Sequence, residues 1–152
     1  MKTSINRLRK ELSDLVSALG TVNSFYWGTM FEATHTKDSK LNYPLVSSFY
    51  TQAGFTKQLT TISWKINVAD LVYKGDSNKD EVESDSLQTC RDLFVSINKS
   101  KRWNDIGKII SCSVINIPNN QDGIAGCEMS IQFALRDTSG VCDIPIFGYD
   151  FN

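Results

Sequence analysis

The chain has 152 residues, and its 16 basic and 17 acidic side chains leave a net charge of −1. Apolar residues make up 41% and charged residues 22%, the balance of an ordinary single globular domain. That balance excludes intrinsic disorder, a collagen-like or coiled-coil rod and a basic nucleic-acid coat. A chain this long buries about two-thirds of its unfolded surface, so it can fold without a metal or disulfide staple.

The first element is an amphipathic helix over residues 4–19. Ile5, Leu8, Leu12, Leu15, Val16 and Leu19 recur at helical spacing, with Arg7, Arg9, Lys10, Glu11 and Asp14 off that stripe. Thr3 or Ser4 suits its N-cap, and Gly20 suits a left-handed residue just past its end. Residues 22–33 (VNSFYWGTMFEA) are rich in aromatic and β-prone types and read as a strand. Within it Phe25, Tyr26, Trp27, Met30 and Phe31 put large apolar groups on both faces. One face can join the core, and the other then needs a second cover, from this chain or from a neighbouring subunit. Residues 34–42, with His35, form a polar loop.

A second extended segment runs from Tyr43 to about Tyr50 and includes Pro44 and Phe49. Pro44 lacks a ladder donor, which implies a start at an edge or bulge, and Gln52-Ala53-Gly54 reads as a turn. Ile62, Trp64, Ile66 and Val68 alternate with Ser63, Lys65 and Asn67, the pattern of a half-buried strand that continues through Asp70–Tyr73. A second helix follows over 79–98. Asn78-x-x-Glu81 has the form of a capping box, and Asp80, Glu81, Glu83 and Asp85 sit where the helix dipole favours acids. Its apolar stripe is Leu87, Cys90, Leu93, Phe94 and Ile97, and Lys99, Lys101 and Arg102 lie at its end.

Residues 109–117 (IISCSVINI) form a strand. Cys127, Met129, Ile131, Phe133 and Leu135 alternate with polar residues to form another, and the two pair as a hairpin. The predicted order is α-β-β-β-α-β-β: an α+β fold with a mainly antiparallel sheet and its helices on one face. Residues 1–140 make one domain. Residues 141–152 (VCDIPIFGYDFN) make an apolar tail without helical or strand periodicity, in which Pro145 and Gly148 work against a regular element. The tail either folds back over its own sheet or lies as an arm across a neighbour.

Motifs that carry chemistry are absent from the sequence. Asp76-x-Asn78-x-Asp80 resembles the opening of a calcium loop, but Glu81 and Leu87 replace the glycine and the bidentate acid such a loop needs. Cys90, Cys112, Cys127 and Cys142 are spaced by 22, 15 and 15 residues with no Cys-x-x-Cys pair. A zinc site would have to draw them from four separate elements, so buried thiols are the simpler reading. His35 has no adjacent acid or cysteine to make it a general base. No nucleophile elbow, Walker loop or dinucleotide fingerprint occurs. Asn98-Lys99-Ser100 matches a glycosylation sequon. Lys99, Lys101 and Arg102 beside Trp103 form a small basic-aromatic cluster, which reads as a helix end with an anchoring tryptophan. No catalytic, cofactor-binding or metal-binding residue is assigned. With neither a run of about eighteen apolar residues nor an apolar signal region, the expectation is a protein made in a cytoplasm.

Several segments occur together in a familiar order. They are Tyr43-Pro44-Leu45-Val46, the strand ending Val68-Ala69-Asp70-Leu71-Val72, the acidic run from Asn78 to Asp85 with the helix from Leu87 to Ile97, and the strand Ala125–Phe133. Over about residues 5–147 the chain resembles small neck proteins of tailed bacteriophages, of the tail-terminator or tail-completion type, particularly those of phages related to the crAss-like group. The resemblance implies a small α+β subunit without catalytic activity or cofactor, forming a homo-oligomeric ring at the head-to-tail junction of a virion. Portal, connector or tail proteins would be its neighbours, and DNA would pass through the bore. Interface residues expected from this reading are Phe25, Trp27, Tyr43, Pro44, Phe49, Ile144, Ile146, Phe147 and Tyr149. The rival readings are a monomeric or dimeric phage-encoded adaptor that binds another protein, and a small hydrolase or transferase with a close pair of titratable groups in a cleft.

Overall fold

A computed structural model describes residues 5–35, 41–57, 59–75, 77–117 and 123–136. The fold is α+β. A five-stranded sheet is built from β1 (Ser24–Trp27), β2 (Leu45–Phe55), β3 (Thr60–Leu71), β4 (Gly107–Asn116) and β5 (Ile124–Leu135). Their spatial order is β1-β2-β3-β5-β4, with one parallel pair, β1 with β2, and antiparallel pairing elsewhere. Helices α1 (Ile5–Ala18) and α3 (Lys79–Lys99) and the short α4 (Lys101–Asn104) lie on one face. A fourth helix, α2 (Met30–His35), follows β1.

The alternating strands supply the core as their sequence dictates. Ile62, Trp64, Ile66 and Val68 of β3 meet Cys127, Met129, Ile131 and Phe133 of β5, all at most 3% exposed. Leu8, Leu12 and Val16 of α1 and Cys90, Leu93 and Ile97 of α3 close over them. Trp103 stacks on Trp64 at 6.0 Å and meets Phe133 edge-on at 6.1 Å, contacts that add about 0.5–1.5 kcal/mol each beyond burial. Gly126 lets β5 approach β3 closely: a Cβ there would collide with the Val68 carbonyl and lie 2.9 Å from Ala69 Cα.

The structure corrects several expectations. Residues 22–33 are not one strand, because β1 stops at Trp27 and α2 begins at Met30, which removes Met30 and Phe31 from the strand and places His35 at a helix end. The cause is a capping box at Thr29-x-x-Glu32. The Glu32 amide donates to Thr29 Oγ1 and the Thr29 amide to Glu32 Oε2, both at 3.1 Å, which satisfies two orphan donors of a helix start. Asn78, expected to cap α3, instead accepts from the Tyr73 amide and donates to the Leu71 carbonyl, pinning the loop after β3.

Gln52-Ala53-Gly54 is no turn. A bulge between Tyr50 and Gln52 lets β2 run on to Phe55, and the reversal falls at Thr56–Leu59, where the Thr56 amide donates to the Leu59 carbonyl. The strand after Pro44 is interior, not an edge. Pro44 precedes the first paired residue, so its missing donor costs no ladder bond, and its carbonyl accepts from Asn23 at 2.9 Å. Gly20 does not adopt the left-handed conformation expected past α1. Leu87, placed on the apolar stripe of α3, is 52% exposed, while Val82, Ser86 and Thr89 are buried. The stripe is rotated because α3 must present Cys90 and Leu93 to β5. The predicted tail, residues 141–152, lies outside the described residues.

Candidate functional site

The sheet's two boundary strands offer two of the surfaces left open among the described residues. β1 has four residues, none charged, and pairs only with β2 among the described residues. Phe25 and Trp27 point to the helix layer, half-buried against the core, with the Arg9 guanidinium 5.9 Å from the Trp27 ring centre. Tyr26 takes the opposite face. Asn6, Arg9, Lys10, Ser13 and Asp14 join these aromatics around a hollow of about 530 Å³.

β4 forms the other edge and pairs only with β5 among the described residues. Natural sheets blunt such edges with charges, prolines or bulges. Here Lys108 is the sole charge in ten residues, and a single bulge between Ile109 and Ser111 precedes the run Ser111–Asn116. Ile110 and Ile115 are more than half exposed. On its helix side lies a groove of about 390 Å³, lined by Leu87, Cys90, Arg91, Phe94, Cys112, Val114 and Met129. Leu87 thus belongs to a surface groove and not to the core, a role its helical phase alone conceals.

Of the residues expected at an interface, Phe25 and Trp27 are half-buried in β1, and Tyr43 and Pro44 stand half-buried just before β2. Phe49 is half-buried on the face of β2 away from α1 and α3. Ile144, Ile146, Phe147 and Tyr149 lie outside the described residues. The β4 edge and its groove were not among the expected sites.

The polar clusters resolve into structural partners. Arg102 bonds the buried Glu11 and reaches Asp14 at 2.9 Å, tying α4 to α1. Glu11 first and Asp14 second hold its guanidinium above the usual range, and Lys10 first, with Arg102, draws the Asp14 carboxyl down against the opposing effect of burial. The guanidinium is therefore engaged, and Trp103 beside it is buried. Lys65 pairs with Glu128 across the second sheet face at 2.9 Å. His35 stacks on Phe31 at 4.1 Å and its Nδ1 contacts the Phe31 carbonyl. A hollow beside α3 and β3 gathers Asp70, Asp85 and Asp92 with Ser86 and Thr89. No three His, Cys, Asp or Glu side chains among the described residues are placed to hold a metal ion, and no described helix is long and apolar enough to cross a membrane.

Cys90, Cys112 and Cys127 are free thiols. Burial pushes Cys90 from its ordinary 9.0 to about 12, with Cys127 and Cys112 adding to the rise. The unfolded thiol loses its proton first, so its contribution to stability is complete below about pH 9 and is lost as pH rises towards 12. Native protein at pH 8 should therefore resist iodoacetamide at Cys90, and labelling as fast as in denaturant would contradict this burial.

Ser47 is buried on the second face, and among the described residues its Oγ has no hydrogen-bond partner. Removing an unsatisfied hydroxyl relieves its desolvation cost. Ser47→Ala should hold or raise the melting temperature, and a clear drop would reveal a partner for that oxygen.

Compared with known proteins, the chain matches no protein-family model and no curated protein.

Proposed function

We propose that this chain is a structural subunit that associates head to tail into a homo-oligomeric ring, and that the ring serves at the head-to-tail junction of a tailed bacteriophage as a tail terminator or neck connector. The observation that carries the reading is the pair of unlike edges on one sheet, β1 and β4, both open among the described residues. Each is flanked by partly exposed apolar side chains: Phe25 and Trp27 at one, Phe94, Ile110, Val114 and Ile115 at the other. Two different surfaces meeting between copies make a heterologous contact, and such contacts close into rings when the rotation per subunit permits. The resemblance to phage neck proteins gives the ring its place, its neighbours in the particle and DNA as what passes through its bore.

Light scattering of the purified chain across a wide concentration range tests the assembly, and mass spectrometry of purified particles tests the location. The expected results are one closed oligomer and a component of the virion. A chain that stays monomeric or dimeric and is missing from particles would instead support the adaptor reading.

A further inference from the structure

We propose that the groove beside β4 receives residues 141–151 of a second copy as an added strand. This deepens the ring reading and shares its premise that the chain self-associates. The edge from Ser111 to Asn116 has no charge, no proline and no described partner on its outer side. A strand laid there sends alternate side chains into the groove under Leu87 and Phe94, with Cys112, Val114 and Met129 as its floor. Its occupant must therefore be extended and apolar.

In residues 141–151, VCDIPIFGYDF, Phe147, Tyr149 and Phe151 alternate and would share the face turned into the groove, while Ile144 and Ile146 would lie on the other face. Pro145 is compatible, since proline is tolerated in an outermost strand where its missing donor faces away from the ladder. The charges are complementary. The segment carries Asp143 and Asp150 and no base, whereas the edge carries Lys108 and the groove Arg91. Neither cation has an ion-pair partner among the described residues. Asp143 and Asp150 stand about 23 Å apart in an extended chain, and Lys108 lies about 20 Å along β4 from Val114 in the groove.

The topology favours a second copy over the chain's own edge. β5 ends beside the start of β4, with Leu135 opposite Gly107, and the Arg136 amide donates to the Ile106 carbonyl at 2.9 Å. The exit from β5 is thus bonded to the segment entering β4 from α4. To reach its own β4 edge, the chain would have to cross that entering connection, which sheet topologies avoid.

Carbodiimide cross-linking of full-length chain, mixed from normal and nitrogen-15-labelled preparations, tests this directly. The expected product joins Lys108 to Asp143 or Asp150 with one light and one heavy peptide. Ile115→Lys, at an exposed position, should abolish it while leaving the melting curve unchanged. Links confined to peptides of one isotope, or joining these aspartates to Lys65 on the second sheet face, would overturn the proposal in favour of a tail on its own subunit. An oligomer that forms without any Lys108 link would overturn the arm and leave the ring standing. A chain monomeric at every concentration would overturn both.

Discussion

Trp64→Ala is expected to cost about 3–5 kcal/mol of folding stability, the range for truncating a fully buried large aromatic. Trp64 is 2% exposed and lies at the centre of the contact between sheet and helices, stacked on Trp103. Its Nε1 donates to Ser48 Oγ, which in turn donates to the Lys65 carbonyl at 3.0 Å. Truncation therefore opens a cavity, removes the stack and takes away the indole that occupies the Ser48 acceptor. For a domain of this size the loss corresponds to a fall in melting temperature of roughly 10 °C. Leu87→Ala is the matched control: Leu87 is about half exposed, so its change should stay within about 0.5 kcal/mol. Denaturant melts of both variants check the pair. A Trp64→Ala loss below about 1 kcal/mol, the size of an average substitution, would contradict the core as described.

Gly126→Ala should be at least as damaging, at about 3 kcal/mol or more, because overpacking here cannot relax through a side chain. The added methyl would strike the Val68 carbonyl and crowd Ala69 Cα, both backbone of the central strand pair. Accommodating it means separating β3 from β5 near the Leu71–Ile124 end of the longest ladder. Gly20→Ala offers the contrast. No atom lies within 4 Å of the added methyl and the backbone is not left-handed, so the reduced freedom of the unfolded chain should stabilise by about 0.4–1 kcal/mol. Equal melting temperatures for the two variants would show that β3 and β5 do not approach as closely as Gly126 implies.

These residues also mark what the sequence makes legible. The α+β class, the helix over Ile5–Ala18 and the buried faces of β3 and β5 follow from side-chain period, because one face of each element is uniformly apolar and the other polar; the pairing of β3 with β5 does not. Boundaries depend on chemistry that period does not see. Thr29 and Glu32 close a capping box inside a run whose aromatic content favours a strand, and the reciprocal hydrogen bonds outweigh that propensity. Asn78 has the sequence of a cap, yet its amide is more useful holding Tyr73 and Leu71. Leu87 sits at a helical position adjacent to the buried stripe, and only the packing of Cys90, Leu93 and Ile97 against the sheet leaves it half exposed. Glu11 reads as a solvated charge, and Arg102, 91 residues further on, is what lets it be buried.

The candidate surface was half legible for a similar reason. The aromatic run at 25–27 stands out in composition, so Phe25 and Trp27 could be named from it, but not that β1 is an outermost strand. The β4 edge draws its character from an absence of charge over Ser111–Asn116 and from spatial neighbours on α3. Both become visible only once β4 is known to be outermost.

Electron microscopy of the purified 152-residue chain decides whether it forms a ring. Closed rings of one size with a central opening are expected, with unlike sides of neighbouring sheets facing each other across every contact. Uniform monomers, or two-fold dimers joined through one edge alone, would contradict the ring.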